Sequence, residues 1–171
     1  MSAFFMDHTR PKDNKTGARR KVAVLQLCVD NRCLIFQFLG RERDQVPESL
    51  KNFLGDNDLI FVGAGIEADA YKLMVDYGLK VARVEELGSL AAFKRTNTFV
   101  DYRKSPLYRT GLKNLVMDVL KQDLPKSRYE QSSDWGRSLL SNKQIEYACL
   151  DVVVSFKLDV ELMSLNPKHT Y

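Results

Sequence analysis

The chain has 171 residues, 44% of them hydrophobic and 28% charged, which is enough for one domain with a sizeable core. Its 26 Lys and Arg against 22 Asp and Glu give a net charge of +4, a balance that suits a polyanionic partner without requiring one. No apolar run reaches the roughly 18 residues of a membrane span, and the N-terminus lacks the apolar core of a signal peptide, so a soluble, intracellular protein is expected.

The first element is AFFM, a short apolar run leading into Asp7, followed by the polar, basic loop HTRPKDNKTGARRK with its Pro and Gly. KVAVLQLCV and RCLIFQFL then read as two strands joined by an Asp30-Asn31 turn, an antiparallel hairpin that sets Cys28 opposite Cys33. Three cysteines without repeating spacing argue against a disulfide framework and for a reducing compartment. Of the two readings for Cys28 and Cys33, buried free thiols are the commoner and a regulatory disulfide the rarer.

VPESLKNFLG predicts a short helix with Leu50, Phe53 and Leu54 on one face. DLIFVGAG is a buried strand, and IEADAYKLMVDYG a helix whose Ile66, Ala70, Leu73, Met74 and Tyr77 recur at helical spacing before Gly78 ends it. LKVARVEEL is a further strand, and Lys94 to Thr110 is basic, aromatic and aperiodic. GLKNLVMDVLKQ is an amphipathic helix with Leu112, Leu115, Val116, Val119 and Leu120 on one stripe. After a polar loop holding Asp134 and Trp135, a capping box Ser141-x-x-Gln144 opens the last helix. A hairpin followed by strands alternating with helices predicts one α/β domain over 1–171 with a mixed sheet.

On the last helix, Glu146 and Lys157 mark the solvated stripe, while Ile145, Cys149, Val152 and Phe156 are expected on the core side. Asp151 belongs to neither; it shares its own face with Tyr147, Val154 and Leu158. A carboxylate in so apolar a setting needs a cation or several donors, which a partner Arg or Lys would supply as well as a metal would. Asp69, in the first turn of its helix, is favoured there by the macrodipole alone.

Taken together, the strand with an early Asp, VAVLQLC...RCLIFQ, FVGAGIEADAYKL and SDW...LSNKQIEYACLD resemble the DEDDy branch of the DnaQ-like 3′-5′ exonucleases. The resemblance covers roughly residues 4–163 and is strongest to Werner-type exonuclease domains and the small plant exonucleases similar to them. It implies a ribonuclease H-like mixed sheet flanked by helices. Because Asp7 lies so near the start, the edge strand that precedes the first motif in that family is expected to be absent. The resemblance also implies a two-metal site for Mg²⁺ or Mn²⁺ and release of nucleoside 5′-monophosphates from a 3′ end. Asp7, Asp69 and Asp151 match the family's metal-binding acids and Tyr147 its water-positioning tyrosine. The first motif is Asp-x-Glu in that family, and here Thr9 stands where the Glu is expected. In a strand residues 7 and 9 share a side and His8 takes the other, so Thr9 fills the expected place but brings no charge.

Lys94, Arg95, Arg103, Lys104 and Arg109, interleaved with Phe99, Tyr102 and Tyr108, are candidates to bind phosphates and stack bases of a single strand. Arg19, Arg20 and Lys21 form a second basic cluster, too short to decide between nucleus and cytoplasm. Each of these residues taken singly is equally well a solvated surface position, and Trp135 reads as a core or loop anchor. Two functions remain open: a metal-dependent 3′-5′ exonuclease on single-stranded RNA or DNA, and an impaired relative that binds nucleic acid or assembles with active homologues. A sheet lacking an edge strand would expose backbone groups, which favours self-association.

Overall fold

The computed structural model describes residues 2–9, 21–30, 32–38, 40, 45–96, 110–125 and 128–164; residues 2–9, 95, 96 and 128 are described by backbone alone. One five-stranded sheet organises the chain, in the order β3-β2-β1-β4-β5: β1 Ser2–Thr9, β2 Val22–Val29, β3 Arg32–Gln37, β4 Ile60–Gly63 and β5 Val84–Glu86. β1 is therefore the middle strand, antiparallel to β2 and parallel to β4.

The hairpin forms as its apolar runs and turn dictate. Asp30 takes a left-handed φ of 55°, as a two-residue turn requires, and Cys28 lies directly opposite Cys33. The register of β1 against β2 shifts between His8 and Thr9: His8 pairs with Val24 and Thr9 with Val22, leaving Ala23 as an extra residue of β2. The consequence shows on β2, where the consecutive Ala23 and Val24 both pack against Trp135, Tyr147 and Ala148.

Two layers of helix cover the sheet. On one side α1 (Glu48–Gly55) and α2 (Ile66–Tyr77) enclose Leu25, Leu27, Phe38, Phe61 and Leu79. On the other, α3 (Leu87–Thr96), α4 (Leu112–Val119) and α6 (Asn142–Ser164) enclose Cys28, Ile60 and Val62; the short α5 is Arg128–Gln131. Gly78, with φ 68°, closes α2 and donates its N–H back to Met74. Just before it, the Asp76 carboxylate accepts the Val22 N–H at 2.8 Å and the Tyr77 hydroxyl donates to the Val22 carbonyl at 2.7 Å. Helix α2 is thereby fastened to the start of β2.

Four expectations need correction. The strand expected over 79–87 pairs only at Val84–Glu86, because Leu79 turns into the core and the Ala82 N–H donates to Leu54 rather than to a strand. The next ten residues form helix α3, so Lys94 and Arg95 end a helix instead of opening an aperiodic stretch. On α6 Val152 is buried as expected, but so are Gln144, Tyr147, Ala148, Asp151, Val154, Ser155, Leu158, Asp159 and Leu162, while Ile145 is 41% exposed. Asp151 lies on the core-facing stripe, and Ile145 belongs outside it. Met74 of α2 is likewise exposed, its place on the inner face taken by Asp69 and Asp76.

Candidate active site

Asp7 lies in the half of β1 that runs past its bridged partners on β4, opposite Leu25. At this point the sheet's central strand leaves its parallel neighbour, whose chain turns through Gly63-Ala64-Gly65 into α2. Crevices beside the carboxyl ends of such strands are where open α/β sheets place their ligands. Both α2 and α6 contact β1, so the helices carrying Asp69 and Asp151 flank the strand carrying Asp7. The side chains of Asp7 and Thr9 lie outside the described residues, as do Arg19, Arg20, Phe99, Tyr102, Arg103, Lys104, Tyr108 and Arg109 altogether. Lys94 is exposed near the end of α3.

Asp69 is buried in the first turns of α2 and pairs with Lys72 one turn on, its Oδ1 accepting from the ammonium at 3.0 Å. The turn ahead of it is held by Glu86, which accepts the Gly65 N–H at 2.8 Å and the Ile66 N–H at 3.1 Å. Burial pushes the Glu86 carboxyl above its usual range, while hydrogen bonds from the Gly65, Gly88 and Ile66 backbone pull the other way.

Asp151 is 1% exposed and hydrogen-bonded to Tyr147 one turn earlier on α6. Burial raises the Tyr147 phenol well above its ordinary range, and the Asp151 charge, that hydrogen bond and the charge of Glu130 add to the shift. The phenol therefore keeps its proton at any physiological pH.

The N-terminus of α6 is built for rigidity. Gln144 accepts the Ser141 N–H at 2.9 Å while the Ser141 hydroxyl accepts the Gln144 N–H at 3.3 Å, which is the expected capping box. The same amide donates to the Ser133 hydroxyl at 3.0 Å and the Asp134 carbonyl at 3.1 Å. Trp135 is 2% exposed, donates its indole N–H to the Glu130 carbonyl at 3.1 Å, and packs on Tyr147 with ring centroids 6.2 Å apart. It is an anchor, as its sequence context suggested. A cavity of about 540 Å³ opens beside this helix start, lined by Tyr129, Glu130, Ser133, Arg137, Lys143 and Gln144. Sequence reasoning missed it because Arg137 and Lys143 are isolated charges that only the fold brings together.

The donor set available is two buried carboxylates, Asp69 and Asp151, flanking the strand of a third acid. Such hard, all-oxygen ligands suit Mg²⁺ or Mn²⁺. Among the described residues, no three His, Cys, Asp or Glu side chains come together to hold a metal.

The sequence profile of the 3′-5′ exonuclease family matches residues 3–165. The chain belongs to this family. It is 32% identical over 150 residues to a 3′-5′ exonuclease of Arabidopsis thaliana, covering 87% of the chain and 48% of that protein. It is 31% identical over 144 residues to the bifunctional 3′-5′ exonuclease/ATP-dependent helicase WRN of Mus musculus, covering 82% of the chain and 9% of that protein. The chain thus spans about half the length of the plant relative. Brucella melitensis NrnC with bound Mg²⁺ shares the fold at a TM-score of 0.70 and 21% identity, over 95% of this chain and 72% of that one. The ribonuclease H-like architecture and the Werner-type likeness both hold. No helix among the described residues is long and apolar enough to cross a membrane.

Proposed function

We propose that this exonuclease-family chain is a metal-dependent 3′-5′ exonuclease of single-stranded RNA or DNA that releases nucleoside 5′-monophosphates. What supports the reading is that buried Asp69 on α2 and buried Tyr147 and Asp151 on α6 belong to helices that both contact β1. Divalent Mg²⁺ or Mn²⁺, when bound, would supply Lewis-acid stabilisation of the attacking and leaving oxygens. Asp7, Asp69 and Asp151 would hold it. Tyr147, packed against Trp135, would orient the attacking water by a hydrogen bond. Lys72 pairs with Asp69 at 3.0 Å and holds its carboxylate in place. The exposed Lys94, and the cations of the 94–109 stretch, would take the phosphates of the strand.

Thr9 supports a second reading, in which the chain binds nucleic acid with little turnover or assembles with active homologues. Three carboxylates hold two divalent ions less firmly than four, and a hydroxyl cannot replace the lost anionic contact. The exposed edge of β3, with Leu34 half out in solvent, supports self-association in either case.

A 5′-labelled single-stranded oligonucleotide incubated with Mg²⁺ or Mn²⁺ separates the two. The enzyme reading expects a ladder shortening from the 3′ end that disappears in Asp151→Ala and strengthens in Thr9→Glu. No turnover by the wild type at any metal concentration would sink it and leave the second reading.

A further inference from the structure

We propose that Glu86 is the positioning residue for Asp69, because its carboxylate accepts the Gly65 and Ile66 N–H groups at the start of α2 and fixes the turn from which Asp69 is hung. This rests on the reading above that Asp69 helps to hold the metal.

Helix α2 has no cap of its own. Its N-cap position is Gly65, at φ 81° and ψ 16°, and no side chain from that residue meets the first-turn donors. Glu86 supplies the acceptor from another strand: Oε1 and Oε2 lie 2.8 and 2.9 Å from the Gly65 nitrogen, and Oε2 lies 3.1 Å from that of Ile66. Glu86 is 7% exposed, so these bonds to the positive end of α2 are made out of solvent.

The link to Asp69 is a short one. The Asp69 N–H donates to the Gly65 carbonyl at 3.3 Å, and the Ala68 N–H to the same oxygen at 3.1 Å. The peptide that Glu86 grips thus carries the first helical bonds of Asp69. Between β4 and α2 the chain runs Gly63-Ala64-Gly65, and two glycines in three residues give this turn little stiffness of its own. Backbone pairing of Gly63 with Glu86 brings the acid to the turn, and its carboxylate then sets the direction of the helix.

The test is Mn²⁺ binding to the folded protein without substrate, measured by calorimetry, alongside thermal melting. Asp69→Asn serves as reference and Tyr77→Phe, at the far end of α2, as a control that lowers stability without touching the turn. Glu86→Gln keeps the shape but turns an amide N–H₂ toward the backbone donors. It should weaken Mn²⁺ binding about tenfold, with Glu86→Asp recovering part of the loss, while Tyr77→Phe leaves affinity unchanged. Wild-type affinity in both Glu86 variants, with Asp69→Asn impaired, would overturn the positioning role. So would a loss of binding in Tyr77→Phe as large as in Glu86→Gln, since instability alone would then explain the effect. Should Glu86→Gln not fold, Glu86→Asp decides by the same comparison. Unchanged binding in Asp69→Asn would refute the metal role of Asp69 itself, and with it the inference.

Discussion

Replacing Gln144 by Ala tests how firmly the start of α6 is held. The side chain is 3% exposed and makes two kinds of bond: its oxygen caps the helix through Ser141, and its nitrogen ties the helix to Ser133 and Asp134. Loss of the cap costs about 1 kcal/mol. Each of the two tethering bonds contributes roughly 0.5–1.5 kcal/mol. The expected destabilisation is therefore about 2–4 kcal/mol, which for a chain of this size lowers Tm by roughly 6–10 °C. Urea unfolding followed by circular dichroism, with calorimetric melting, measures both. Gln144→Glu keeps the capping oxygen but replaces the donor with a second acceptor facing the Asp134 carbonyl. It should recover the cap alone and fall between Ala and wild type. A loss below about 0.5 kcal/mol for Ala, or a Glu variant as stable as wild type, would refute the two-part role.

Other outcomes follow from the same geometry. Tyr77→Phe removes the hydroxyl that donates to Val22 and should cost about 1–2 kcal/mol in urea unfolding, because a buried carbonyl loses a donor; a neutral effect would mean another group takes its place. Cys33 is a free thiol beside Cys28 and Cys149; burial and Cys28 push it up to about 11, against a smaller lowering by Cys149. At pH 8 its thiolate fraction is then about one in a thousand, so alkylation should run about two hundredfold slower than for an ordinary thiol. Mass spectrometry of iodoacetamide-treated native protein checks this, and labelling at the rate seen in urea would contradict it. Leu34→Glu on the edge of β3 should abolish any dimer seen by sedimentation, whereas a dimer that survives must use another surface.

Local rules carried most of the fold. The hairpin was legible because its turn residue and alternating runs agree, and α4 because its apolar stripe is clean. Helix α6 was harder: Ile145, Leu150 and Val160 are apolar yet exposed, so its hydrophobic pattern points nearly all round and hides which stripe meets the sheet. That is why Asp151 looked peripheral. Helix α3 went unread because LGSLAAFKRT carries Gly and Ser in its first turn and is preceded by a Glu, an uncommon N-cap residue. The identity of the site came from motif resemblance at Asp69, Tyr147 and Asp151, whereas its support did not. Glu86 lies 17 residues beyond Asp69, in a strand three residues long, and nothing in its local sequence marks it as the cap of an earlier helix.

Anomalous diffraction from crystals soaked in Mn²⁺ shows whether Asp7, Asp69 and Asp151 share divalent metal in spite of Thr9. Manganese peaks are expected between these three carboxylates, with that of Asp7 in contact with the ion. Peaks absent from this crevice at saturating Mn²⁺, or held without Asp7, would contradict the shared site.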